Sequence, residues 1–153
     1  MKTPLEKTLR QRALEYLSKR EYSYMELGQK LKAYADDGDD IPALLEDFKA
    51  RGWLSDARFT EQIVHARQSK FGSAKIAHEL REKGVADELI ADAVEQVKDN
   101  ELENATEVWR KKFKSSPKSR EEWAKQARFL QSRGFGFDMI KKILNAAEAE
   151  END

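Results

Sequence analysis

The chain has 153 residues, of which 39% are hydrophobic and 37% charged, with seven glycines, three prolines and no cysteine. The lack of cysteine excludes disulfides and thiolate chemistry, and the composition is typical of a helical protein with small cores and a large solvated surface. The first six residues lack an apolar signal region, and no stretch approaches the ~20 apolar residues that a membrane span needs. We expect a cytoplasmic protein that contacts no membrane.

Capping signals mark where helices begin and end. A Ser or Thr followed three residues later by Glu forms a capping box, and it predicts helix starts at Thr3, Ser23 and Ser119. Three further short polar side chains are predicted helix caps: Ser55, Ser73 and Asp138. Four glycines follow the last apolar residue of a predicted helix and mark its end: Gly38, Gly52, Gly84 and Gly134.

Between these signals, apolar residues recur at helical spacing and predict nine short helices. The stripes of the first three helices are Leu5, Leu9, Ala13 and Leu17, then Leu27, Leu31 and Tyr34, then Leu44, Leu45 and Phe48. Those of the next three are Phe59, Ile63 and Ala66, then Ile76 and Leu80, then Ile90, Ala93, Val94 and Val97. The last three stripes are Ala105, Trp109 and Phe113, then Trp123, Ala127 and Leu130, then Ile140, Ile143, Leu144 and Ala147.

The pattern repeats at an offset of 50 residues, since Leu80, Gly84 and Ile90 recur as Leu130, Gly134 and Ile140. A third copy lies upstream, where Leu27 and Leu31 match Ile76 and Leu80 at an offset of 49. Such self-similarity is the signature of stacked supersecondary units. We therefore expect an all-α tandem array of three three-helix repeats, elongated and slightly curved. The predicted units are residues 1–54, residues 55–100 and residues 101–153, the last with an acidic C-terminal tail.

No pattern in the chain predicts a catalytic, cofactor or metal site. His65 and His78 have no partners at metal-ligand spacing, and the glycines at 134 and 136 lack the lysine and Ser/Thr of a phosphate-binding loop. The three tryptophans could stack on the bases of a single-stranded nucleic acid, but each lies in or beside an apolar stripe. We expect them to pack in cores, and we expect a non-enzymatic protein without cofactors.

The net charge of −1 conceals two blocks of opposite sign. Residues 86–107 carry eight acids and one lysine, whereas residues 110–133 carry nine bases and two acids. The nine bases are Arg110, Lys111, Lys112, Lys114, Lys118, Arg120, Lys125, Arg128 and Arg133. We predict that they contact phosphates or an acidic partner; the alternative is that they form ordinary solvated helix faces.

Three blocks of the sequence resemble the RecX family, bacterial regulators of the RecA recombinase. They are Gly52–Phe59, Phe71–Val85 and Arg128–Phe135, and together they match in the family's order over nearly the whole chain. Ser55 departs from the acid common at that position, and the chain is more nearly neutral than some relatives. The matching positions, expected to be mainly structural, are Gly52, Leu54, Asp56, Arg58, Phe59, Gly72, Leu80, Gly84 and Gly134.

The resemblance implies a non-enzymatic modulator, chiefly an inhibitor, that lies in the groove of the RecA–single-stranded DNA filament. There it would limit filament growth, ATP hydrolysis, strand exchange and cleavage of LexA. Direct binding to single- or double-stranded DNA stays open. Two alternatives also stay open: a helix-turn-helix regulator of transcription, and a helical-repeat adaptor for another acidic protein. We expect a monomer, because no long apolar seam is left exposed.

Overall fold

The computed structural model describes residues 6–152, and this part of the chain contains helices and no strand. Eight helices follow one another: α1 Leu9–Lys19, α2 Tyr24–Lys32, α3 Ile41–Ala50, α4 Asp56–Arg67, α5 Ser73–Glu82, α6 Asp87–Phe113, α7 Arg120–Ser132 and α8 Phe137–Asn152. The predicted all-α class is confirmed.

Buried apolar side chains form three cores in chain order. The first core contains Leu9, Ala13, Tyr22, Leu27, Leu31, Leu45, Phe48 and Leu54. The second core contains Phe59, Val64, Ile76, Ala77, Leu80, Val85, Ile90, Ala93 and Val97. The third core contains Ala105, Val108, Trp109, Leu130, Phe135, Ile140, Ile143, Leu144 and Ala147. Each core joins several helices, because one apolar stripe cannot hold a ten-residue helix by itself. The boundaries at residues 54 and 100 stay a prediction.

Helix α6 corrects the expected number of helices, because it is one 27-residue helix where two were predicted. Its first half packs in the second core through Ile90 and Val97, and its second half packs in the third core through Ala105 and Trp109. No glycine or proline interrupts it. Its acidic beginning and basic end also suit the dipole of a single long helix.

The predicted caps at Ser23, Ser55 and Ser119 are confirmed, since each side chain accepts a hydrogen bond from a backbone N–H in the first turn. The predicted box at Thr3 lies outside the described residues. Helix α1 instead begins with a complete capping box between Thr8 and Gln11.

Two predicted caps are wrong. Ser73 is the first residue of α5, whose cap position is Gly72, and the Ser73 N–H donates to the Glu101 carboxylate at 2.9 Å. Asp138 lies inside α8, which already begins at Phe137. At the start of α5, the acceptor for the free N–H is therefore Glu101, 28 residues away, and not a neighbouring side chain. Capping rules consider only neighbouring residues, so they do not detect it.

Three of the four predicted glycine stops are left-handed, with φ of 77° at Gly52, 76° at Gly84 and 91° at Gly134. The turns at Gly84 and Gly134 are equivalent. The Val85 N–H donates to the Leu80 carbonyl at 3.1 Å, and 50 residues later the Phe135 N–H donates to the Leu130 carbonyl at 3.2 Å. Gly38 does not follow α2 directly, because that helix ends at Lys32.

Three predicted core residues lie near the surface. Tyr34 and Trp53 are 40% and 41% exposed, and Ala66 is also exposed. Tyr34 lies beyond the end of α2, under the guanidinium of Arg12 at 3.9 Å from the ring centroid. The predicted apolar stripe of α2 extends beyond the last helical turn to Tyr34, and for this reason the prediction overestimates the burial of that residue.

Polar contacts hold the first core to the second, and we call this contact the first joint. Glu26 of α2 accepts a hydrogen bond from Lys83, at the end of α5, at 3.2 Å. Asp56 of α4 accepts one from the Tyr24 N–H at 2.8 Å. Between α3 and α4 the chain passes through residues 51–55 without helix, so no rigid element crosses this joint.

Helix α6 and a close backbone approach hold the second core to the third, and we call this contact the second joint. The Gly72 N–H donates to the Arg133 carbonyl at 2.7 Å. A Cβ at Gly72 would overlap the backbone carbonyl of Gly134, so this approach requires glycine. Glu101 of α6 caps α5 across the same joint through Ser73.

Candidate functional site

The nine predicted contact residues, which we call the basic stretch, extend from the end of α6 to the end of α7. Arg110, Lys111 and Lys112 lie in the last turns of α6, and Lys114 follows with a φ of 67°. Lys118 lies in the connecting loop, and the others belong to α7 or follow it. Eight of the nine side chains are exposed and Arg133 is half-buried. The structure thus brings most of the stretch to solvent around one loop.

Among residues 6–152, two of these cations form ion pairs with acidic side chains. Arg110 pairs with Glu107 at 3.0 Å, and Lys118 pairs with Glu151 of α8. Within residues 6–152, no ion pair forms at six members of the stretch: Lys111, Lys112, Lys114, Arg120, Lys125 and Arg128. Lys112 lies 5.5 Å from the ring centroid of Phe129. This surface therefore presents positive charge that is available to an anionic partner.

Arg133 differs from the rest of the stretch because its contacts lie at the second joint. Its guanidinium is 5.3 Å from the ring centroid of Phe71 and 5.0 Å from that of Phe129. It also donates to the Lys70 carbonyl at 3.3 Å. These contacts link the second and third cores, so we restrict the candidate surface to the other eight residues.

The family-motif residues lie at caps, turns and cores. Leu54, Phe59 and Leu80 are buried. Arg58 pairs with Glu21 at 3.0 Å and donates to the Gly52 carbonyl at 2.7 Å, which holds the chain at the first joint. None of these nine positions forms part of the basic stretch, and of the eight candidate contact residues only Arg128 falls in a matched block, Arg128–Phe135.

Several buried polar residues were missed by the sequence analysis. Glu101 was counted with the acidic block, yet it is 4% exposed and caps α5. It lies at the helical spacing between Val97 and Ala105, both buried, and an acid in an apolar stripe is the signal that could have identified it. Gln126 is also buried and accepts a hydrogen bond from the Trp109 indole N–H at 2.8 Å.

Two of the three tryptophans pack as expected. Trp109 is buried in the third core and Trp123 is half-buried against Phe137, with the ring centroids 6.2 Å apart. The core expectation is wrong for Trp53, which lies at the surface in a T-shaped ring contact with Phe48. Trp53 lies between two residues of the first core, Phe48 and Leu54, and is distant from the basic stretch in sequence.

The histidines are exposed, and His78 lies 2.9 Å from Glu82 one turn further along α5. In the described part of the chain, no group of three or more His, Cys, Asp or Glu side chains is arranged to hold a metal ion. None of the helices described by the structure has both the length and the apolar character needed to cross a membrane.

A family model described as RecX, second three-helix domain, matches residues 55–94, and one described as RecX, third three-helix domain, matches residues 99–144. The regulatory protein RecX of Leptothrix cholodnii is 43% identical over 143 residues, which cover 94% of this chain and 91% of that protein. The chain belongs to the RecX family. The regulatory protein RecX of Herbaspirillum seropedicae is also 43% identical and covers 95% of both chains.

Solved RecX structures share the fold. The crystal structure of RecX from Lactobacillus salivarius matches with a TM-score of 0.77 at 21% identity, covering 92% of this chain and 95% of that one. A second crystal structure of regulatory protein RecX gives 0.78 at 22% identity, covering 90% and 71%. The predicted tandem array of three-helix repeats is confirmed. The gap between the two matched RecX domains, residues 95–98, falls inside α6, so one helix belongs to both domains.

Proposed function

We propose that this chain is a non-enzymatic regulator, chiefly an inhibitor, of the RecA recombinase. It binds in the groove of the RecA–single-stranded DNA filament and limits filament growth, ATP hydrolysis, strand exchange and LexA cleavage. Membership of the RecX family carries the proposal, since relatives named as regulatory proteins match more than nine-tenths of the chain.

The basic stretch supports the choice of contact surface. Six of its cations are exposed and form no ion pair within the described residues, so binding a phosphate or carboxylate there requires no existing ion pair to be broken. Each such contact is weak alone in salt water. We also propose that residues 1–54, residues 55–100 and residues 101–153 act as three linked units, so that several weak contacts to successive protomers add through effective concentration.

The carboxylates with the most specific contacts have structural roles, which supports a function without catalysis. Glu26 links α2 to α5, and Glu101 caps α5 across the second joint. Both side chains hold neighbouring helices in place.

The test is the DNA-dependent ATPase activity of RecA with added protein. Reversing Lys111, Lys112 and Lys114 to Glu should weaken inhibition, most strongly at low salt, because screening reduces these contacts at high salt. The matched control reverses Lys19, Lys32 and Lys49, which are exposed and also lie in or near the last turns of their helices. Both triple variants change the net charge equally, and circular dichroism should show unchanged helicity.

Three results would contradict parts of this proposal. Equal inhibition by the two triple variants at every salt concentration would mean that the basic stretch is only a solvated face. No effect of the parent protein on RecA would overturn the assignment of the partner. Tight, sequence-specific binding to duplex DNA without RecA would favour a regulator of transcription instead.

A further inference from the structure

Three hydrogen-bond donors of the α6–α7 loop converge on one carboxylate from the far end of α8. The Ser116 N–H donates to Glu151 Oε1 at 2.6 Å. The Ser116 hydroxyl and the Lys118 ammonium both contact Glu151 Oε2. A backbone N–H, a hydroxyl and an ammonium group thus surround the two carboxylate oxygens. Together they form an anion-binding site, which a side chain of the same protein occupies.

The loop holds this shape through contacts on its inner side. Gln126 donates to the Ser115 carbonyl at 3.3 Å and accepts from Trp109 at 2.8 Å, and both Gln126 and Trp109 are buried. The Lys118 N–H donates to Glu122. The direction of the Ser116 N–H is therefore set by the third core and does not depend on Glu151.

Ser116 is 3% exposed while Glu151 is in place, and departure of Glu151 would take the acceptor from both Ser116 donors. Such donors cost free energy unless another acceptor replaces the one that leaves. The replacement must also suit Lys118, which lies in the middle of the basic stretch between Lys114 and Arg120. A negatively charged group with two acceptor oxygens satisfies both requirements.

The occupant is an anion in the free protein. The hydrogen bonds from Lys118 and Ser116 lower the pKa of Glu151 to about 2, so the carboxylate remains charged at neutral pH. The two non-bridging oxygens of a phosphodiester offer the same charge and a similar pair of acceptors. The neighbouring unpaired cations favour a chain of phosphates over a single carboxylate, because a chain can engage several of them together.

We propose that Ser116 and Lys118 form a phosphodiester-binding site for single-stranded nucleic acid, which Glu151 occupies in the free protein. The inference rests on the proposed contact between the basic stretch and filament DNA. Binding of a phosphate displaces Glu151 and frees the Lys118 charge for the nucleic acid. Glu151 competes with the ligand for the site. The apparent affinity for the nucleic acid is therefore the intrinsic affinity multiplied by the fraction of molecules in which Glu151 has left the site.

The test compares Glu151→Gln with Glu148→Gln in binding to a fluorescent oligodeoxythymidylate, measured by anisotropy without RecA. Both variants remove one negative charge from α8, but Glu148 is exposed and forms no hydrogen bond or ion pair within the described residues. We expect Glu151→Gln to bind about two- to fivefold more tightly than Glu148→Gln. The gain should disappear when Lys118→Gln is added, because both groups act at one site.

A second measurement uses the unaltered protein and remains valid if a variant is unstable. The Ser116 amide resonance should shift and saturate when the oligodeoxythymidylate is added. Equal affinities of the two glutamine variants, or a Ser116 amide that does not respond, would overturn the site. A response to polyglutamate but not to the oligonucleotide would also overturn it, in favour of a protein ligand. If the unaltered protein did not inhibit RecA, the proposed function would be overturned, but the binding of oligodeoxythymidylate at Ser116 and Lys118 would still stand.

Discussion

The two joints connect similar three-helix units by different means. At the first joint the chain leaves helix over residues 51–55, and the contacts are side-chain hydrogen bonds such as Glu26 to Lys83. An open groove of about 710 Å³ lies there, lined by Met25, Asp56 and Leu89 among others. At the second joint α6 is continuous and two backbone segments touch at Gly72. We infer that the first joint can bend while the second holds two cores as one body.

The largest effect is expected from interrupting α6. Asn100→Pro should lower the free energy of unfolding by about 3 kcal/mol or more, because proline removes a hydrogen bond in the helix interior and clashes with the preceding turn. Urea titration followed by tryptophan fluorescence measures the cost.

The matched control places proline near the first joint. Ala57→Pro falls at the second position of α4, as the native Pro42 does in α3, and should cost less than about 1 kcal/mol. Similar costs for the two variants would show that the continuity of α6 contributes nothing special to the second joint.

A smaller difference is expected between two glycines. Gly72→Ala should cost about 2–3 kcal/mol, because the new methyl group meets the Gly134 backbone, which cannot rotate away. Gly84→Ala at the first joint should cost about 1–2 kcal/mol, from its φ of 76° and from contact with the flexible Met25 side chain.

Truncating the neighbour distinguishes the two positions. Met25→Ala should reduce, without abolishing, the cost of Gly84→Ala in a double-variant cycle. It removes the sulfur that a Cβ would meet at 2.7 Å and leaves the Met25 Cβ at 2.9 Å. A cost that is unchanged by this truncation would mean that the first joint is packed as rigidly as the second.

The smallest expected effect is the loss of stability at the first joint when the pH is lowered. Burial tends to raise the pKa of Glu26, but the hydrogen bonds from Arg20 and Lys83 outweigh burial and hold the pKa below its ordinary value. A carboxyl group of this kind stabilises the fold above its unfolded-state pKa, and the contribution disappears as the pH falls through the folded-state pKa. The first joint should therefore weaken in acid.

The measurement is a titration of Glu26 by nuclear magnetic resonance. Lys83→Met should raise the pKa of Glu26 because it removes one donor, while costing no more than about 1 kcal/mol at neutral pH. An unchanged pKa would show that Lys83 does not contribute to the charge balance of the first joint in solution.

Local signals predicted the elements that local chemistry controls. Serine caps at 23, 55 and 119 and glycine stops at 52, 84 and 134 depend on residues within one turn, and these predictions are confirmed. The split of α6 into two helices came from the repeat rather than from any cap or breaker near residue 100. The repeat predicts a break near residue 100, whereas the lack of glycine and proline there favours a continuous helix. The structure has the continuous helix.

Contacts between distant residues could not be predicted in the same way. Exposure of the basic stretch follows from its charge, but the contact between Ser116 and Glu151 joins residues 35 apart on different elements. The cap of α5 by Glu101 likewise spans 28 residues. These contacts depend on how helices pack, which a periodic pattern does not specify.

The unbroken course of α6 also fixes the geometry of the charge distribution. Its acidic residues and its three terminal bases are centred roughly 20 Å apart along one rigid axis, given a rise of about 1.5 Å per residue. A hinge between them would let opposite charges fold together and cancel. Without one, α6 keeps a fixed separation of charge that turns with the helix. Near a polyanion it is rotated before contact, so that the basic end arrives first and a larger share of collisions is productive.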